Sequence, residues 1–135
     1  MSRNKISLAR VQEAFNAAIR RRDGRCMIKD YEPCDGQLEA SHFYTVGSCP
    51  SLRFYPPNAW TQCARHHWNH HNKAESKNVY HNWLVTNHAE EQADCEILRN
   101  RYIRYTDGLK AEIIRLCNAD KLDELKQLIE KELEK

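Results

Sequence analysis

Five histidines and one asparagine stand in an order that suits hydrolytic chemistry. His42 lies in Ala40-Ser41-His42-Phe43, Asn58 follows sixteen positions later, and His67 comes nine positions after that. His67 belongs to the run His66-His67-Trp68-Asn69-His70-His71, which gathers four of the seven histidines of the chain. A lone histidine is usually a satisfied polar residue; five in this order are poorly explained that way. Hydrolysis of a phosphodiester needs an activated water and a group to hold the developing charge. An imidazole of near-neutral pKa suits the role of general base. A divalent cation can neutralise the phosphate and the leaving oxygen. His42, at the end of an expected strand, is placed for the first role. His67 and His71 are four residues apart, share one helix face, and could bind one ion. His66 and His70 repeat that spacing on an adjacent face.

Sulfur donors flank the same stretch. Cys63-x2-His66 has the spacing that lets two ligands at a helix start converge on a tetrahedral ion. Cys26 and Cys34 can complete a structural zinc site, although seven residues between them exceed the usual knuckle spacing. The plainer alternative makes both ordinary buried thiols, and Cys49 is a possible substitute ligand. Cys95 and Cys117 fall on apolar helical faces and read as core. The basic run Arg20, Arg21, Arg22 and Arg25, with Arg53 and Arg65 nearer the histidines, supplies candidate phosphate contacts. The plainer reading of each is a solvated or structural arginine. Trp60, Trp68 and Trp83 read as core before they read as base-stacking surfaces.

Short elements must position these groups. Leu8, Val11, Phe15, Ala18 and Ile19 recur at helical spacing, predicting a helix over 7–22 with Ser7 as cap and Gly24 beyond its end. Residues 23–37 read as loop. A strand ending at His42, a second strand at Leu52-Arg53-Phe54-Tyr55, and a helix from Cys63 to about Lys73 make a ββα unit. The remainder is helical: one run through Tyr102 and Ile103, a break at Asp107-Gly108, a second run over Leu109 to Leu116, and a last helix capped by Asp120. The apolar face of that last helix, Leu122, Leu125, Leu128, Ile129 and Leu133, suits either the core or a second copy of the chain, giving a homodimer. The fold class is thus α+β, divided as a basic N-terminal helix (1–25), a zinc-stapled core (26–76) and a helical C-terminal extension (77–135).

Composition agrees with that scale. With 135 residues the chain is long enough for one domain, and a metal commonly supplements a core this small. No apolar run could span a bilayer, so the expectation is a soluble cytoplasmic protein without a membrane partner. Six cysteines in that setting read as ligands or thiols rather than disulfides. The net charge of +2 is uninformative, but residues 1–29 carry eight Lys or Arg against two acids. A basic arm suits a polyanion such as DNA.

The pattern Ser41-His42-Phe43, Leu52-Arg53-Phe54, Asn58 and Cys63-x2-His66-His67-Trp68 resembles the HNH endonucleases of the ββα-metal fold. Within them it is most similar to the bacteriophage NinG (Rap) recombination nucleases. Tyr80-His81-Asn82-Trp83-Leu84 also resembles that family's helical continuation, and the likeness covers roughly residues 25–100. The resemblance implies that His42 is the general base, that Asn58 fixes the loop orienting it, and that His67 binds a catalytic magnesium or manganese ion. It implies structural zinc at the flanking cysteines, and DNA, branched or single-stranded forms included, as substrate during phage recombination in a bacterial host cell. The sequence departs from the family pattern where Ser41 occupies a position often taken by an acidic or histidine metal ligand. It departs again at His66, where cysteine is common. Two other readings compete: a zinc-stapled DNA-binding module without catalysis, and a protein-interaction domain, which leaves the basic arm unexplained.

Overall fold

A computed structural model describes residues 5–135; Met1 to Asn4, and with them Arg3 of the basic arm, lie outside the described residues. Within these bounds the protein has six α-helices and a two-stranded antiparallel sheet. Helix α1 (Leu8–Asp23) starts where Ser7 Oγ accepts the Arg10 N–H and stops at Gly24, whose φ of 69° is the left-handed turn glycine tolerates. Strand β1 (Leu38–His42) pairs with β2 (Ala59–Cys63) in the register Leu38↔Cys63 to His42↔Ala59.

The second strand therefore lies after Asn58, not at Leu52-Arg53-Phe54-Tyr55. Two single turns, Pro50–Leu52 and Pro56–Asn58, bracket the earlier segment, and Pro50, Pro56 and Pro57 have no N–H to lend to a ladder. All five residues of β2 are buried, so no polar alternation marks that strand in the sequence. Thr61, on one face, donates through its hydroxyl to Ile19 of α1. Ser41, on the other, accepts at its carbonyl from Tyr80 of α3 (Ala74–Asn87). Trp60, beside Ser41, meets Trp83 edge-on.

Helix α2 (Ala64–Asn72) follows β2 directly. Helix α4 (Ala89–Leu98) ends earlier than the expected run, since the Ser51 hydroxyl binds the carbonyls of Leu98 and Arg99. Tyr102 and Ile103 lie in the non-helical stretch after it, and Tyr105 packs on Phe54 there. Asp107-Gly108 opens α5 (Asp107–Asn118) under a Thr106 cap instead of breaking a helix. Asp120, with φ 55°, is the turn between α5 and α6 (Leu122–Leu133), not a cap. Leu125, Ile129 and Leu133 of α6 are buried with Val11, Phe15, Leu52, Phe54, Tyr55 and Ile113. One core thus draws on all three expected segments, and the apolar face of α6 is taken up by its own chain. Among the described residues no helix is long and apolar enough to cross a membrane.

Candidate metal centre and adjoining histidine site

Cys26 and Cys34 come from the loop after α1, and Cys63 and His66 from the junction of β2 and α2. The loop is tied to that junction by the Ala64 N–H on Gln37 and the Arg65 N–H on Asp35, at 2.8 and 3.0 Å. Gly36 makes the approach possible: a Cβ there would stand 2.6 Å from Ala64 Cβ, and its φ is 83°. Cys63 is the N-cap of α2, its sulfur accepting the His66 N–H.

The ligand atoms of Cys26, Cys34, Cys63 and His66 all lie within 4.8 Å of one another. His66 Nδ1 is 3.2 Å from the sulfurs of Cys26 and Cys63 and 3.8 Å from that of Cys34. Around a tetrahedral zinc, with bonds of about 2.3 Å to sulfur and about 2.05 Å to nitrogen, those separations would be about 3.6 Å. Three sulfurs and one imidazole nitrogen are also a donor set zinc favours. The cluster can hold the ion that the sequence assigned to it. Burial raises the Cys26 thiol. Burial also acts on Cys63, but there the N–H groups of His66 and Asp35 outweigh it and lower the thiol. His66 Nε2 is buried without a partner, and the nearest carboxylate, Glu32, is 3.8 Å away and accepts from Asn69 Nδ2 at 2.6 Å. A histidine bound to metal through Nδ1 needs such an acceptor for its other nitrogen. Cys49 lies apart, in the main core. Cys95 and Cys117 are core residues, as read.

His42 closes β1 with Nε2 2.8 Å from the Arg53 carbonyl. A carbonyl can only accept, so Nε2 carries the proton and Nδ1 keeps its lone pair. Burial pushes His42 down to about 4; the Arg53 carbonyl opposes this, while His67, Arg53 and His71 add to it through charge. Asn58, wholly buried, holds the loop that carries Arg53. Its Oδ1 accepts the Tyr44 N–H at 2.9 Å, and its Nδ2 donates to the carbonyls of Tyr44 and Leu52 at 2.9 and 3.3 Å.

His67 Nδ1 is 2.9 Å from Glu39 Oε1, and its Nε2 is 3.1 Å from His71 Nε2. Two nitrogens on one ion at about 2.1 Å and a right angle stand about 3.0 Å apart, so this pair has the spacing of adjacent ligands. Glu39 fixes the His67 tautomer that leaves Nε2 free. Sequence reasoning missed Glu39. The signal was the strand period: Glu39 shares a sheet face with Ser41, the position where an acidic ligand was sought. Ser41 Oγ itself is buried without a partner. His70 turns from the cysteine cluster into Phe43 and Tyr80, and burial holds it at about 4. Trp68 is not core but 61% exposed, because α2 buries His66, Asn69 and His70 instead.

The arginines divide. Arg21 pairs with Asp120 and the Cys117 carbonyl. Arg22 binds Asp23 and the carbonyls of Pro56 and Ala59, and lies 4.1 Å over Trp60. Arg65 is 3.6 Å from Glu32. Arg53 donates to Gln12. Arg20 and Arg25 make no side-chain hydrogen bond or ion pair with the described residues.

With the geometry in place, comparison with known proteins adds one match, covering residues 3–130, to the family described as bacteriophage Lambda NinG protein. The chain belongs to the NinG family. No curated protein and no solved structure matches it. In this NinG-family chain the match spans the cysteine cluster, both histidine groups and five of the helices in full.

Proposed function

We propose that the chain is a divalent-metal-dependent DNA endonuclease of the HNH, ββα-metal type, acting in phage recombination, with branched and single-stranded DNA among its substrates. The observation that carries this reading is the setting of His42: Nε2–H spent on the Arg53 carbonyl, Nδ1 left with its lone pair, and the loop beneath clamped by Asn58. His42 Nδ1 takes the proton of the attacking water. Held neutral above about pH 4, it is in the accepting form at any physiological pH. His67 and His71 would hold the catalytic cation, magnesium or manganese, with Glu39 orienting His67. That cation would supply charge neutralisation at the phosphate and the leaving oxygen. Cys26, Cys34, Cys63 and His66 would hold zinc, which would tie α2, and with it His67, to the loop after α1 and the end of β2.

The second reading is a zinc-stapled DNA-binding module without catalysis. It is favoured by one observation: among the described residues only two histidines converge on the second ion's position, and no third protein ligand joins them. The test is cleavage of plasmid and branched DNA with Mg²⁺, Mn²⁺ or EDTA. His42→Ala should keep its zinc and its DNA affinity and cut at least about a hundredfold more slowly. A wild-type protein that binds DNA and never cuts it would decide for the module.

A further inference from the structure

An open cleft of about 400 Å³ runs along α1, lined by Ala9, Gln12, Glu13, Asn16, Arg20 and Arg53. Gln12, Asn16 and Arg20 recur every four residues and share one face of the helix. The hydrogen bonds inside the cleft have a fixed direction. Arg53 Nε can only donate, and it stands 2.7 Å from Gln12 Oε1. The Gln12 carbonyl therefore faces Arg53, and its NH₂ group turns to Asn16, donating to Oδ1 at 2.9 Å. Asn16 is left presenting its own NH₂. Both amide oxygens already accept a bond within the chain of contacts, whereas Asn16 Nδ2 and the terminal nitrogens of Arg53 donate to nothing among the described residues.

The cleft thus turns donors outward and adds two guanidiniums against the single carboxylate of Glu13. Such a surface suits an anion rich in acceptor oxygens. A larger cleft, at the C-terminal end of α1, differs because Asp120, Asp123 and Glu124 line it and both of its arginines are paired. The cleft is also joined to the histidine site, since the Arg53 carbonyl is the group that holds His42 Nε2.

We propose that this cleft seats a phosphodiester group of the DNA strand being cut, next to the scissile one, with Gln12 and Asn16 donating to its oxygens beside Arg20 and Arg53. Only the identity of the strand rests on the endonuclease reading; the anion chemistry rests on the hydrogen-bond direction.

The experiment uses the full zinc-loaded chain and a fluorescently labelled oligonucleotide, without divalent cation, across a salt series. Asn16→Asp keeps the acceptor for Gln12 and replaces the donor by a charge; it should weaken binding about tenfold. Arg20→Gln should flatten the log–log salt slope by about one unit. Asn16→Lys should tighten binding, which a folding defect would not do. If Asn16→Asp and Arg20→Gln match wild type in affinity and slope while wild type still cuts DNA, the cleft proposal fails and the endonuclease stands. If both variants bind as poorly as expected but wild type never cuts, the endonuclease fails and the cleft stands. Inorganic phosphate or a mononucleotide that displaces the strand as well as unlabelled DNA would reduce the cleft to a small-anion site and overturn the proposal. So would a wild-type chain that does not bind DNA even at low salt.

Discussion

Replacing Asn58 by alanine should strip two backbone groups of their partners at once. They are the Tyr44 N–H and the Tyr44 carbonyl, each held at 2.9 Å; the Leu52 carbonyl, 3.3 Å from Asn58 Nδ2, keeps the Tyr55 N–H. A peptide group left unpaired in the interior costs about 1–3 kcal/mol. Two of them, with some water reaching the loop, give about 2–4 kcal/mol against a total stability of about 5–15 kcal/mol. With a urea slope of about 2 kcal/mol/M, the unfolding midpoint of zinc-loaded Asn58→Ala should fall by about 1–2 M. Circular dichroism through a urea titration reads this directly. Asn58→Asp sharpens the test, because it keeps the acceptor for Tyr44 but turns lone pairs on two carbonyls. Its carboxyl should be raised above the usual 3.9, so the protonated form can donate and the variant should recover part of its deficit relative to wild type as the pH falls toward 4. A loss under about 1 kcal/mol for Asn58→Ala would refute the view that this side chain holds the loop under His42.

Three further outcomes follow from the same structure. Cys63→Ala, or chelation of wild type, should remove the zinc and about 10 kcal/mol of folding free energy; elemental analysis paired with thermal melting checks it, and zinc-free protein that melts like wild type would refute it. His42 and His70 are each held at about 4, against about 6.5 in an unfolded chain. The folded form thus binds protons more weakly, so stability is complete above pH 6.5, falls between 6.5 and 4 by about 3 kcal/mol for each histidine, and levels off below 4. His70→Phe should flatten about half of that fall relative to wild type in urea titrations at each pH, and an unchanged slope would reject it. Arg22→Lys, losing the fork that binds the Pro56 and Ala59 carbonyls, should destabilise the fold by about 1–3 kcal/mol without altering the salt dependence of DNA binding. A flatter slope would show instead that Arg22 meets phosphate.

Much of this was legible in the chain. The α1 pattern, its Ser7 and Gly24 ends, and the helix start at Cys63 were plain because local capping chemistry decides them. The cysteine cluster was legible because ligand types are few and its two pairs bracket one stretch. The second strand was not: Ala59–Cys63 is covered on both faces, so it lacks the alternation that marks a half-buried strand. The end of α4 was hidden for another reason, since Ser51, far away in sequence, supplies the hydroxyl that terminates it. Arg21 and Arg22 looked like a phosphate-binding run, and their partners are Asp120 and the carbonyls around Asn58, which no local pattern reveals. Glu39 and Glu32 were passed over because a carboxylate acting through a histidine has no fixed spacing from it.

The contact between Tyr55 and Glu130 joins the loop beneath His42 to the last helix, with the Tyr55 hydroxyl donating to Glu130 Oε2 at 2.6 Å. Tyr55 is wholly buried, in the same cluster as Leu125 and Ile129. During synthesis these α6 residues emerge after every histidine and cysteine of both sites, so the loop stays uncovered until α6 has left the ribosome. A frameshift or early stop just before α6 would therefore leave every histidine and cysteine of both sites encoded, yet release a chain unable to pack the loop that aims His42. The order in which the chain is made thus delays completion of the histidine site until α6 is present.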